Sequence, residues 1–181
     1  MRFKKIMVLI NIFIGILILV GCGQDVSKNP QEVTLAFTDA LYGGDFKMAD
    51  TYLKYPKYNK LTNNDEKLKG MYETLFKKSK IEILDAIEND NLATIKLKVN
   101  SIDLQQVEKY ILINTPKILR ENKIETTGDE ADEVLYKETI NKINDSSTGI
   151  KETEVNIYLE NEDKKWKITD ESELITAMEG N

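Results

Sequence analysis

The chain contains no histidine and a single cysteine, Cys22. Without an imidazole it lacks the usual general base near neutral pH and the commonest zinc ligand. With one thiol there is no intramolecular disulfide, and no cysteine nucleophile stands anywhere beyond position 22. Any folded body must therefore hold itself together by packing alone. Basic groups are also in short supply: 25 Lys and Arg face 31 Asp and Glu, a formal charge of -6. A chain this acidic is a poor ligand for nucleic acid, and no cofactor motif is present. What remains is ordinary for a globular protein, with 41% hydrophobic and 31% charged residues. A length of 181 residues leaves room for one domain behind a short targeting segment.

That segment lies at the start. Arg2, Lys4 and Lys5 precede an apolar run from Ile6 to Val20, interrupted only by Asn11 and Gly15. The run falls short of the roughly 20 residues a bilayer span needs, and it suits a signal peptide over residues 1–21. Leu19-Val20-Gly21-Cys22 then resembles the bacterial lipobox, an aliphatic residue at −3 and a small one at −1 before a cysteine. The resemblance implies diacylglyceryl transfer to the Cys22 sulfur and cleavage between Gly21 and Cys22. It also implies an anchor of fatty acyl chains such as palmitate on the extracytoplasmic face of the cell membrane. The alternative is an uncleaved N-terminal anchor with a chance cysteine; the position of the one thiol in the chain favours cleavage. Loss of residues 1–21 would leave 22 basic against 31 acidic groups, a charge of -9. Residues 22–28 would be the lipidated cysteine and a polar tether, with a reach of at most roughly 20 Å at ~3.5 Å per residue.

The remainder, 29–181, reads as one α+β domain: N-terminal helices packed on a curved antiparallel sheet of about four strands. Asn29-Pro30-Gln31-Glu32 is a capping box, and Val33, Ala36, Phe37, Ala40 and Leu41 follow at helical spacing. Gly43-Gly44 ends that helix, Asp45 caps a second, and Pro56 breaks it. A third is expected from about Asn64 to Lys78. The period then changes to two. Ile81 and Ile83, with a bulge before Leu84, lead to a turn at Asn89-Asp90-Asn91; Ala93, Ile95, Leu97 and Val99 alternate with polar residues. Val155, Ile157 and Leu159 form a third strand, turning at Asn161-Glu162-Asp163 into a fourth with Trp166 and Ile168. Asp170-Glu171-Ser172-Glu173 reads as the capping box of a closing helix. Between strands two and three, about 103–144, lies a helical insertion, expected to break and restart at Thr115-Pro116.

The opening residues Pro30 to Phe37, Ala40-Leu41, Gly44-Asp45 and Ala49 to Leu53 resemble small bacterial lipoproteins of the nuclear-transport-factor-2-like superfamily. Trp166-Lys167-Ile168 followed by Asp170 is similar to the close of the same domain. The resemblance implies a cone of three helices against a curved sheet, in some members with a pocket between them. Because sites rather than folds carry function, it implies little about activity.

Some enzymes of that superfamily use an Asp base with Tyr or acidic donors. Here Asp85, beside the expected bulge, is the one carboxylate at an apolar strand position, and such a residue is more often at the surface. A basic aromatic segment stands out more: Tyr52, Tyr55 and Tyr58 alternate with Lys54, Lys57 and Lys60. It could line a pocket mouth, where rings stack on a ligand and ammonium groups meet an anion. The favoured reading is an ordinary loop in which one or two rings anchor against the core and the lysines are solvated. Asp129-Glu130 and Asp132-Glu133 lack calcium-loop spacing and suit the first turn of a helix, so no metal is expected. Glu152 and Glu154 are expected to face Lys96 and Lys98, or Lys165 and Lys167, on neighbouring strands. The sequence reading is thus a membrane-anchored, non-enzymatic binding module. Its partner would be an envelope protein or a small ligand, with an isomerase-like pocket protein as the alternative.

Overall fold

The computed structural model describes residues 28–124 and 128–180. The signal-peptide reading, Cys22 and most of the tether lie outside the described residues. Among these residues the fold is α+β, as the periodicities predict. Four helices come first: α1 (Pro30–Tyr42), α2 (Phe46–Tyr52), α3 (Tyr58–Asn63) and α4 (Glu66–Lys78). Two long strands follow, β1 (Lys80–Asn89) and β2 (Leu92–Ile102). The insertion is a pair of helices, α5 (Leu104–Glu121) and α6 (Asp129–Asn144). The chain then closes with β3 (Ile150–Glu162), β4 (Lys165–Asp170) and α7 (Ser172–Met178).

The strands form an antiparallel meander in the order β1-β2-β3-β4. Strict alternation decides its two faces. Ala93, Ile95, Leu97 and Val99 of β2 share one face with Val155, Ile157 and Leu159 of β3, and all are buried. Against this face lie α1, α2, α4 and α7, contributing Phe37, Leu41, Phe46, Phe76, Leu174 and Met178 to one core. The opposite face carries Lys96, Lys98, Glu152 and Glu154 and is open. Burying a large aliphatic or aromatic side chain contributes about 1.5–3 kcal/mol, so this single core supplies most of the stabilisation.

Local signals shape the start of the helical layer. Asn29 accepts from the Glu32 amide at 2.8 Å while Glu32 accepts from the Asn29 amide at 3.0 Å, the reciprocal capping box. Asp45 caps α2 by accepting from Met48 N. At the other end of the chain Gly180 has φ of +80°, and an added Cβ there would lie 1.9 Å from the Ile102 carbonyl oxygen. Only glycine lets the chain leave α7 so close to the end of β2.

The structure corrects four local expectations. The helix α5 runs unbroken through Thr115-Pro116. The missing Pro116 amide would have served the carbonyl of Leu112, which lies on the exposed side of the helix, where water can replace it. The helix expected from about Asn64 to Lys78 is present as Glu66–Lys78, but an unexpected helix, α3, precedes it. The last hairpin turns at Asp163-Lys164, both with positive φ, and not at Asn161-Glu162-Asp163. Two such residues match the right-handed twist of the flanking strands. The box expected at α7 does not close, because Glu173 reaches across to the Asn156 amide at 2.9 Å and Asp170 binds Ser172 instead. The expected bulge is present, with the register shifting between Ile83 and Asp85.

Candidate functional site

The six residues of the basic aromatic segment occupy the connection from α2 into α3, and the fold does not gather them on one surface. Leu53 bridges to Ile168, and the Lys54 amide donates to the Ile168 carbonyl at 2.8 Å, so the segment is stitched to β4. Tyr52 is half-buried, with Lys28 over its ring at 5.1 Å. Tyr55 is 68% exposed. Tyr58 is buried against Phe37. Lys54 pairs with Glu160 and, at 2.6 Å, with Glu162, and these contacts raise its pKa. Lys60 is exposed on α3.

One carboxylate holds this connection in place. Asp50 of α2 accepts from the amides of Lys57, Tyr58 and Asn59 at 2.8, 2.8 and 3.0 Å. It serves as the N-terminal cap that α3 lacks in its own sequence, since Lys57 offers no acceptor.

Deeper in, Glu171 is only 5% exposed, and the Tyr58 hydroxyl donates to its Oε1 at 2.8 Å. Lys57 Nζ reaches the same oxygen at 2.6 Å. Burial first, and then the neighbouring Glu171 charge, push the Tyr58 pKa well above the usual phenol value. A second pair lies nearby: Tyr72 is raised by burial and by the charge of Glu179, and burial raises Glu179 in turn. A buried carboxylate beside a phenol is the donor arrangement that acid–base chemistry uses. Here the carboxylate already has a counter-ion within contact distance.

Asp85, the carboxylate considered as a base, is exposed on β1 and accepts from the adjacent Ala86 amide. Asp129, Glu130 and Asp132 occupy the first turn of α6, while Glu133 pairs with Lys67 and Lys137. Glu154 pairs with Lys96 at 2.6 Å; Lys98 lies 3.2 Å from Glu82 and 4.0 Å from Glu152. The expected cross-strand partners are thus on β2, and the contacts to Glu152 and Glu154 run diagonally across the register.

The concavity that sequence reasoning missed lies where the chain enters the domain. A hollow of about 550 Å³, open to solvent, is lined by Lys28, Glu88, Asn91, Asp163, Lys164 and Trp166, with Asn29 and Asn161 completing the wall. The two hairpin turns make its rim and are tied together by the Asn161 amide donating to the Asn91 carbonyl at 2.8 Å. A smaller and more enclosed groove of about 240 Å³ shares Asn29 and Glu88 with it and lies between the start of α1 and strands β1 and β2. The lining residues carry amide, carboxylate and ammonium groups together with one indole, that of the largely buried Trp166. Such a wall can orient a polar ligand by hydrogen bonds. Asn91, Asp163 and Lys164 are turn residues in sequence, and their convergence follows only from the register of β2 on β3.

No protein-family profile matches this chain, and no curated protein matches it. Among solved structures it is similar to a crystal structure of a candidate lipoprotein, ycdA, from Bacillus subtilis. The identity is 16% and the TM-score 0.48, over 83% of this chain and 45% of that one. The chain thus spans less than half the length of that neighbour.

Proposed function

We infer that this chain is a lipid-anchored extracytoplasmic protein, cleaved before Cys22, whose single domain is a non-enzymatic binding module of the nuclear-transport-factor-2-like kind. The lipobox-like Leu19-Val20-Gly21-Cys22 supports the anchor. The helices that precede the meander, with Gly44-Asp45 opening α2, support the superfamily reading. The open hollow at the chain's entry carries the binding reading, because it is a concave surface whose lining brings together several polar side chains and Trp166. Native mass spectrometry of the body from residue 23 onward, purified from its own host, tests it. A retained small molecule that is lost on Trp166→Ala would identify the hollow as the site. A clean apo mass together with co-purification of an envelope protein would move the function to a protein partner. The anchor is tested separately: Cys22→Ser should abolish processing and retention on cells.

A second reading has one observation behind it, the buried Tyr58–Glu171 pair. Read as an acid–base centre, it would serve an isomerase-like reaction. The ion pair to Lys57 and the near-complete burial of both groups favour a structural role. Retained turnover of a ketosteroid-type substrate in the parent and its loss in Tyr58→Phe would favour the enzyme.

A further inference from the structure

The open face of the sheet is not uniform along its length. At the end where β2 leaves toward the insertion it is ionic, built from Lys96, Lys98, Glu82, Glu152 and Glu154. At the end that carries both hairpin turns it exposes three large apolar side chains, beside Glu160, which faces Leu92 in register and is paired with Lys54. Register places Ile87, Thr94 and Tyr158 in one row across β1, β2 and β3, with Leu92 one pleat nearer the turn. Ile87 is 55% exposed, Leu92 62% and Tyr158 40%.

Two further observations converge on that same end. The described chain starts there, since Lys28 lines the hollow together with residues of both turns. Only residues 23–27 separate Lys28 from Cys22, so an acylated Cys22 holds this end within roughly 20 Å of the lipid at ~3.5 Å per residue. Charge is also balanced there. Lys28 and Lys164 stand among Glu88 and Asp163 around the hollow, whereas the cleaved chain as a whole would carry -9. Glu160 and Glu162 on this end are paired with Lys54, and an acidic protein approaching an anionic membrane is least repelled through an end whose charges are balanced.

We propose that the hairpin-turn end of the sheet is a lipid-facing docking surface, on which Ile87, Leu92 and Tyr158 settle into the head-group region of the membrane that holds Cys22. This rests on the lipid anchor of the preceding section and adds an orientation to it. Tyrosine at the border with aliphatic residues beside it is the composition that membrane interfaces favour. The insertion then stands at the membrane-distal end. From the pair Asn161–Trp166 to Ile150 the sheet runs about 36 Å at ~3.3 Å per residue.

Trp166 is the one tryptophan in the chain and lies at the docking end, so it reports the orientation without substitution. The lipidated full-length protein is reconstituted into phosphatidylethanolamine–phosphatidylglycerol vesicles containing a lipid with a head-group spin-label quencher. Loss of Trp166 emission is expected. The loss should disappear in Ile87→Ser/Leu92→Ser/Tyr158→Ser while the protein still floats with the vesicles. A reporter moved to the far end, Trp166→Phe with Ile150→Trp, should remain bright. Circular dichroism of each variant checks that it is folded, and any unfolded variant is replaced by Leu92→Glu alone, which should also restore emission. Full Trp166 emission in floating protein, or equal quenching at position 150, overturns the orientation and leaves the anchor standing. Quenching that survives both the triple substitution and Leu92→Glu overturns the role of the apolar corner. Failure of the parent protein to float overturns the anchor, and the orientation with it.

Discussion

The two faces of one sheet are held by different forces, although alternate residues of the same strands build them. On the covered face Leu97 pairs with Ile83 and Val155 beneath the helical layer; Leu97 and Val155 are buried, and Ile83 packs half-buried against the core. On the open face Lys98 spans Glu82 and Glu152, and all three side chains are in contact with solvent. The covered face therefore sets stability. The open face sets which strands can lie side by side, because the basic strand β2 sits between two strands rich in acid. Charge order of this kind disfavours a slipped or swapped register more than it raises the melting point.

The sharpest way to break the comparison is to remove side-chain volume from the covered face. Leu97→Ala should cost about 3–4 kcal/mol in urea unfolding of the body, the range expected where a buried Leu leaves a cavity. A cost near zero would mean the core is not continuous beneath β2.

The next effect lies at the border of the helical layer. Tyr58→Phe removes the donor to Glu171 and should cost about 1–3 kcal/mol. It should also change the alkaline limb. Tyr58, Tyr72 and Tyr42 all have pKa values raised in the fold, Tyr42 to about 12, chiefly by burial. Their full contribution is present below the ordinary phenol value near 10. Above it the unfolded chain releases protons that the native state retains, so stability falls as pH rises. Unfolding midpoints measured from pH 9 to 12 should fall less steeply in the Phe variant. Unchanged steepness would remove Tyr58 from the set.

On the open face Lys98→Ala should cost less than about 1 kcal/mol, and the difference from the parent should shrink in high salt. A cost equal to that of Leu97→Ala would erase the distinction between the faces. Ser101→Ala should be the mildest change, neutral or slightly stabilising, because the buried Ser101 hydroxyl has no hydrogen-bond partner among the described residues.

How much of this was legible in the sequence depended on how far apart the cooperating residues are. The α1 capping box, the apolar stripe through Phe37 and Leu41, the alternation in β2 and the bulge in β1 are all written within a few positions. Each was readable, as were the fold class and the helical insertion. The failures share a different feature. Helix α3 is capped by Asp50 from the preceding helix, so its own residues carry no start signal. Glu173 leaves the expected box for an amide on β3. Tyr58 and Glu171 meet across 113 positions, and the hollow is assembled from two turns and the chain's entry. The Tyr–Lys segment allows a pocket mouth or, as the favoured reading, a loop with one or two rings anchored in the core, and the buried Tyr58 fits the second. A short break between helices cannot keep three rings aligned, and the rings diverge.

Gly180 gives the molecule a lock that admits one key. Substitution on the solvent-facing positions of α7 can drift freely, but any side chain at 180 would have to push the last helix off the end of β2. In a library of folded variants alanine should therefore be common at Gly43, whose backbone is already helical, and absent at Gly180. The turn that leaves α7 is thus a place where this fold will tolerate little evolutionary experiment.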